Sequence, residues 1–291
     1  MMAASWAKTR VDMYKKILAA VNEHFNSEIA ARYALNLARV CDAKLYLQFV
    51  AGRRQSRSDI DTAEEAMRRL FAEATAKQIP VERIVVTGDP VQEIGTTVRD
   101  EAIDLAFVST RKEDVEKRFY AGTVARKLSV RLPCSVALVR AVRVGHIHPA
   151  RILVPLKATM DHLAERTFFI AKMAEAFHAK VFLFHAPRPA TRLFHGPIHL
   201  APGEWETRLP NDVARLIESL RQYKVDFESR IMPGAAGRSI TLEASAKRHD
   251  LILMGASQRS LWASFLKGNP VEGVLRETPC DLIILNPKHE D

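Results

Sequence analysis

Short apolar runs alternate with stretches of helical spacing along this 291-residue chain, and the order of the first half recurs in the second. Ile17–Val21 reads as an opening β-strand. It is followed by a helix from Ser27 to Val40, in which Ile29, Tyr33, Leu37 and Val40 form a buried stripe and Ser27 is the expected N-cap. Strands are predicted at Lys44–Val50, Arg83–Thr87, Leu105–Ser109 and Val136–Val139, with helices near Asp61–Lys77 and Val91–Ala102 and after Gly122. The second half predicts strands at Ile152–Leu156, Lys180–His185, Asp226–Ile231, Leu251–Met254 and Leu282–Leu285. Near-continuous apolar strands separated by helices describe parallel sheets covered on both faces.

The repetition can be read residue by residue. Asp104–Arg140 lies on Asp250–Asn286 without a gap, matching Gly122 with Gly268 and Pro133-Cys134 with Pro279-Cys280, 146 residues apart. Asp104-Leu105 and Phe119 match Asp250-Leu251 and Phe265. This is a diverged duplication. Right-handed crossovers then make the fold class α/β, with two tandem doubly wound domains of five parallel strands each, spanning residues 1–145 and 146–291.

Charge changes little in this picture. The formal net charge is +9, but both halves are positive and both intersperse the two signs along helices, which makes nucleic acid an unfavoured partner. Three cysteines, Cys41, Cys134 and Cys280, give no disulfide framework and suit a reducing compartment. With no apolar signal core before Met13 and no apolar run of spanning length, a cytoplasmic protein without a membrane span is expected. His185, His195 and His199 have no nearby cysteine or well-spaced carboxylate, and no metal site is expected. The Pro-rich stretch 186–210, with Trp205, leaves the second strand of the second half on the side where such folds bind ligands.

Three features, each present in both halves, resemble the universal stress protein family. They are the opening strands Lys16-Ile17-Leu18-Ala19-Ala20-Val21-Asn22 and Arg151-Ile152-Leu153-Val154-Pro155-Leu156-Lys157, the block Gly88-Asp89-Pro90-Val91-Gln92-Glu93-Ile94 with a counterpart from Gly234, and the module ending in Pro-Cys. The resemblance implies a stress-response or regulatory role. In its ATP-binding members an Asp follows strand one, and Gly-x2-Gly-x9-Gly-(Ser/Thr) follows strand four, where glycines and a helix N-terminus admit phosphate. The matching positions here are Asn22, Ser109, Lys112, Gly122 and Thr123 in the first half, and Lys157, Gly255, Gln258, Gly268 and Asn269 in the second. Both halves depart from the pattern.

In the first half Arg111 and Lys112 can supply charge where the glycines are lost, which makes it the better nucleotide site. Thr123 also reads as a plain helix cap. In the second half Pro270 removes one amide donor from the helix start. The expected ligand is therefore an adenine nucleotide, ATP or AMP, sensed by the first half. The alternative is an interaction module that binds no nucleotide and regulates a protein partner. The run Gly268-Asn269-Pro270-Val271-Glu272 with Thr278-Pro279-Cys280-Asp281 is similar to stress-protein modules attached to transporters. Members of this family commonly pair through their last strands, so the resemblance implies that Val136–Val139 and Leu282–Leu285 lie antiparallel as neighbouring edges, which would cover strand edges that otherwise invite association. Internal pairing of the two domains is thus expected, and a homodimer is compatible with it. No nucleophile elbow, Walker loop or paired-carboxylate pocket is present, so no enzyme activity is expected.

Overall fold

Local chemistry decides where each helix begins. In a computed structural model of the chain, residues 13–53, 55–110, 123–142, 145, 147–185, 209–231, 236–256 and 270–288 are described. The first half runs β1 (Lys16–Val21), α1 (Phe25–Cys41), β2 (Lys44–Ala51), α2 (Arg57–Ala76), β3 (Val81–Thr87), α3 (Pro90–Asp100), β4 (Leu105–Thr110), α4 (Val124–Arg131) and β5 (Ser135–Arg140). Helix α2 starts four residues before the expected Asp61, because Ser56 and Asp59 form a capping box. Asp89 caps α3 by accepting from the amides of Val91 and Gln92, and Pro90 fills the first helical position. Ser27 is not the N-cap of α1. That position is His24, while Ser27 lies buried in the first turn and donates to the carbonyls of Asn22 and His24.

The second half repeats the order as β6 (Arg151–Leu156), α5 (Leu163–Phe177), β7 (Lys180–His185), α6 (Asn211–Gln222), β8 (Phe227–Ile231), α7 (Ala236–Ala246), β9 (Leu251–Gly255), α8 (Pro270–Glu277) and β10 (Asp281–Asn286). The duplication extends to backbone conformation. Gln78 and Lys224, and Ala102 and Arg248, are left-handed residues 146 positions apart, and the left-handed Asp42 and His178 end α1 and α5. Non-glycine residues rarely adopt this conformation, so its recurrence at matching helix ends reflects a shared backbone plan.

The ten strands of the described residues form one sheet in the order β3-β2-β1-β4-β5-β10-β9-β6-β7-β8. Every neighbouring pair is parallel except the central one, where β5 and β10 run antiparallel with Val139 opposite Ile283 and Leu138 opposite Ile284. The expected joint between the last strands is thus present, and it turns two five-stranded sheets into one. Alternation along the strands sends Ile17, Ala19 and Val21 to a core under α1, α2, α5 and α6, and Leu18 to a core under α3, α4, α7 and α8.

Side chains tie the halves together on the first of these faces. The buried Tyr14 hydroxyl donates to Glu165 at 2.8 Å, and its ring meets Phe168 edge-on at 5.4 Å. The Tyr33 hydroxyl donates to Asp281 at 2.9 Å while its ring meets Phe177 edge-on. Burial first, and the adjoining carboxylate second, hold both phenols well above the ordinary tyrosine pKa. Arg39 donates to the carbonyl of Ala176, and Lys172 to that of Val40, so α1 and α5 also exchange contacts at their carboxyl ends. On the other face, Asn286 of β10 reaches the carbonyl of Ser129 in α4.

Tyr33→Phe removes one hydrogen bond from a buried carboxylate without altering shape. It is expected to lower the unfolding free energy by about 1.5–3 kcal/mol, read as an earlier urea midpoint. An unchanged midpoint would mean that the pair contributes nothing to the joint.

Candidate functional site

In a parallel sheet of this kind ligands approach the carboxyl ends of the strands, where the crossovers diverge. In each half that place lies between the first and fourth strands, β1/β4 and β6/β9. The two halves fill it differently.

In the first half the end of β1 is held by a closed set of local hydrogen bonds. The side-chain oxygen of Asn22 accepts from the amide of His24 at 2.9 Å, and the Asn22 amide donates to Ser27 at 3.0 Å. Asn26 reaches from α1 to the carbonyl of Thr110 at the end of β4, at 3.4 Å. Asn22, at the position where the family's ATP binders carry Asp, therefore shapes the loop after β1 with its own side chain. Ser109 is half-buried in β4. Thr123 caps α4 by accepting from the amide of Arg126, which is the plain role allowed for it, and so aims the start of α4. Arg111, Lys112 and Gly122 lie outside the described residues, as do Gln258, Gly268 and Asn269 of the second half.

In the second half a cavity of about 210 Å³ opens at the end of β6, walled by Leu156, Lys157, Met160, Asp161, Arg166 and Gly255 among others. Arg166 comes from the first turn of α5 and is buried. Its Nε donates to the carbonyl of Asp161 at 2.6 Å, and Nη2 donates to the carbonyl of Ala256 at 3.0 Å. The guanidinium therefore bridges the loop after β6 to the residue that follows β9. It lies so close to Gly255 that a Cβ there would collide with it. Gly255 has no left-handed backbone to satisfy, so close approach by Arg166 is what demands glycine.

The sequence assigned Gly255 to a phosphate loop and overlooked Arg166. The available signal was positional. Counting back from the left-handed residues Asp42 and His178, α1 carries Ala30 where α5 carries Arg166. A long cation at a place where the twin helix needs alanine marks a changed site.

Lys157 stands at the cavity mouth and keeps contact with solvent. Its pKa is nevertheless lowered, first by partial desolvation and next by the Arg166 guanidinium, with the Asp161 carboxylate pulling the other way. Asp212, in the first turn of α6, accepts from the amide of Met160 at 2.9 Å and fixes the same loop. His185 closes β7 buried, with Nδ1 3.1 Å from the carbonyl of Leu156. All three cysteines are buried as free thiols, and burial pushes that of Cys134 up to about 12, far from a reactive thiolate. Among the described residues no group of three His, Cys, Asp or Glu side chains could hold a metal ion, and no helix is long and apolar enough to cross a membrane.

A doubled α/β unit with its ligand face at the strand ends is the class of protein that fold and site define. The sequence model described as the universal stress protein family matches residues 13–140 and again 150–286. The chain belongs to the universal stress protein family, as a tandem member. Among solved structures, a universal stress protein from Archaeoglobus fulgidus is 17% identical, with a TM-score of 0.61, covering 94% of this chain and 96% of its own. A functionally unknown protein from Pseudomonas aeruginosa is 18% identical, with a TM-score of 0.61, covering 95% of this chain and 94% of its own. At such identities the likeness is one of fold. No curated protein matches the chain.

The contact between Arg166 and Gly255 can be measured as a coupling. Gly255→Ala is expected to cost about 1–3 kcal/mol of stability by displacing the guanidinium. In an Arg166→Ala background the same change should cost under about 0.5 kcal/mol. Equal costs in both backgrounds would show that the glycine serves something other than Arg166.

Proposed function

We propose that this is a cytoplasmic regulatory protein of the stress response, not an enzyme, in which the first half responds to an adenine nucleotide, ATP or AMP, and the second half does not. The observation that carries this reading is the exchange of Ala30 for Arg166. In the second half the guanidinium rests on Gly255, where a backbone amide would have to approach phosphate. In the first half α1 presents only an alanine at that place, and Thr123 opens α4 towards the strand ends. The loop after β4 carries Arg111 and Lys112, cations suited to phosphate. Asn22 keeps hydrogen-bonding capacity without charge, so affinity in this reading comes mainly from the phosphate side.

A second reading is an interaction module acting through protein contacts. It is favoured by Asn22, an amide at the position where the family's ATP binders carry Asp, whose side-chain oxygen is used within its own loop. Titration calorimetry separates the two. The first reading expects one nucleotide bound per chain, and Lys112→Ala should weaken ATP by about tenfold or more while sparing adenosine, because a charge-assisted bond is lost. No heat with ATP, ADP or AMP at millimolar concentration would remove the sensor and leave the interaction module.

A further inference from the structure

The cavity of the second half does not stop at the strand ends. It runs inward between the sheet and helices α5 and α6, where its wall is made of Phe169, Ile170, Leu216, Leu253 and Leu285, every one of them buried and apolar. The charged residues of the lining, Lys157, Arg166 and Asp161, stand at the other end, beside the loop after β6. Among the described lining residues two cations and one carboxylate give a net charge of +1. The guanidinium is fixed by two carbonyls, whereas Lys157 extends at the solvent edge with freedom to meet a guest.

We propose that this cavity binds a small amphipathic monoanion, a carboxylate carrying an apolar chain or ring, with the apolar part between α5, α6 and the sheet and the carboxylate at Lys157. A pocket lined mainly by apolar side chains with few placed polar groups is the usual form of a small-molecule site. Its volume of about 210 Å³ falls below the roughly 300–1,000 Å³ typical of drug-sized ligands. It therefore suits a body smaller than a nucleoside triphosphate, whose several negative charges also exceed what the lining offers. A cation is disfavoured by the lining charge. A neutral hydrocarbon would gain nothing from Lys157, whose ammonium stands partly out of water and beside the Arg166 guanidinium at a cost that its lowered pKa reflects. An incoming carboxylate removes that cost by pairing.

The test uses the full chain and three probes: octanoate, octan-1-ol, which lacks the charge, and acetate, which lacks the chain. Calorimetry should find one octanoate site per chain, at least tenfold tighter than either comparator. Lys157→Met, a change at the solvent edge that keeps the side-chain length, should weaken octanoate tenfold or more and leave octan-1-ol unchanged, with native circular dichroism. Saturating ATP should not displace octanoate, because the nucleotide reading concerns the other half. The proposal is overturned by absence of octanoate binding, by equal affinity for octan-1-ol or acetate, or by an unaffected Lys157→Met variant. Displacement by ATP would also overturn it, by assigning this cavity to nucleotide instead.

Discussion

Everything in this molecule depends on the antiparallel pairing of β5 with β10. An isolated parallel unit of five strands leaves its last strand as an unpaired edge, a row of amides and carbonyls that invites association. Here each half closes the edge of the other, through register pairs from Val136–Asn286 to Arg140–Leu282. Once that ladder is set, α1 and α5 are brought together on one face, and their contact surface becomes core. The apolar cluster on that face is continuous across both halves, from Ile17 and Tyr33 to Phe169 and Leu216. Buried Tyr14 and Tyr33 then satisfy buried Glu165 and Asp281 across the joint, which keeps the cost of enclosing those carboxylates low.

The same joint explains how the two halves can diverge without losing the fold. Phe169 lines the cavity of the second half and at the same time packs against Tyr14 and Phe107 of the first. Leu285 lines that cavity too and sits in β10, opposite Ala137. Support for the site thus comes from the twin copy. The first turn of α5 was left open to change, and a buried arginine occupies it where α1 keeps alanine. Packing of the shared core constrains the middle of each helix, while the helix starts that face the strand ends are where the copies differ in chemistry.

The legibility of this architecture in the sequence follows the strength of the local signals. Apolar strands such as Leu105–Thr110 and Leu251–Gly255 are buried on both faces and announce themselves as continuous runs. The duplication followed from the matched Pro-Cys modules, and the pairing of the last strands from the family resemblance, with the exposed edges as its physical reason. The start of α2 was missed because a capping box lies in a polar stretch where no apolar period points to it. Ser27 looked like a cap because its residue type suits one, but the chain turns at Asn22 and His24 instead. Arg166 was passed over, because a lone arginine in an amphipathic helix ordinarily faces water and only its position opposite Ala30 of α1 sets it apart. Its burial against Gly255 arises only when β9 and α5 meet in three dimensions.

The central claim is that β5 and β10 weld the halves into one folding unit, and native-state hydrogen exchange resolved along the chain tests it most directly. Sub-global openings expose the weakest joints first, and amides protected by global unfolding exchange last. The account predicts that the β5 and β10 amides, Val136–Val139 and Ile283–Leu285, exchange as slowly as those of β1 and β6. Faster exchange at β5 and β10 together, with each half retaining its own slow core, would show two domains that merely touch, and would contradict it.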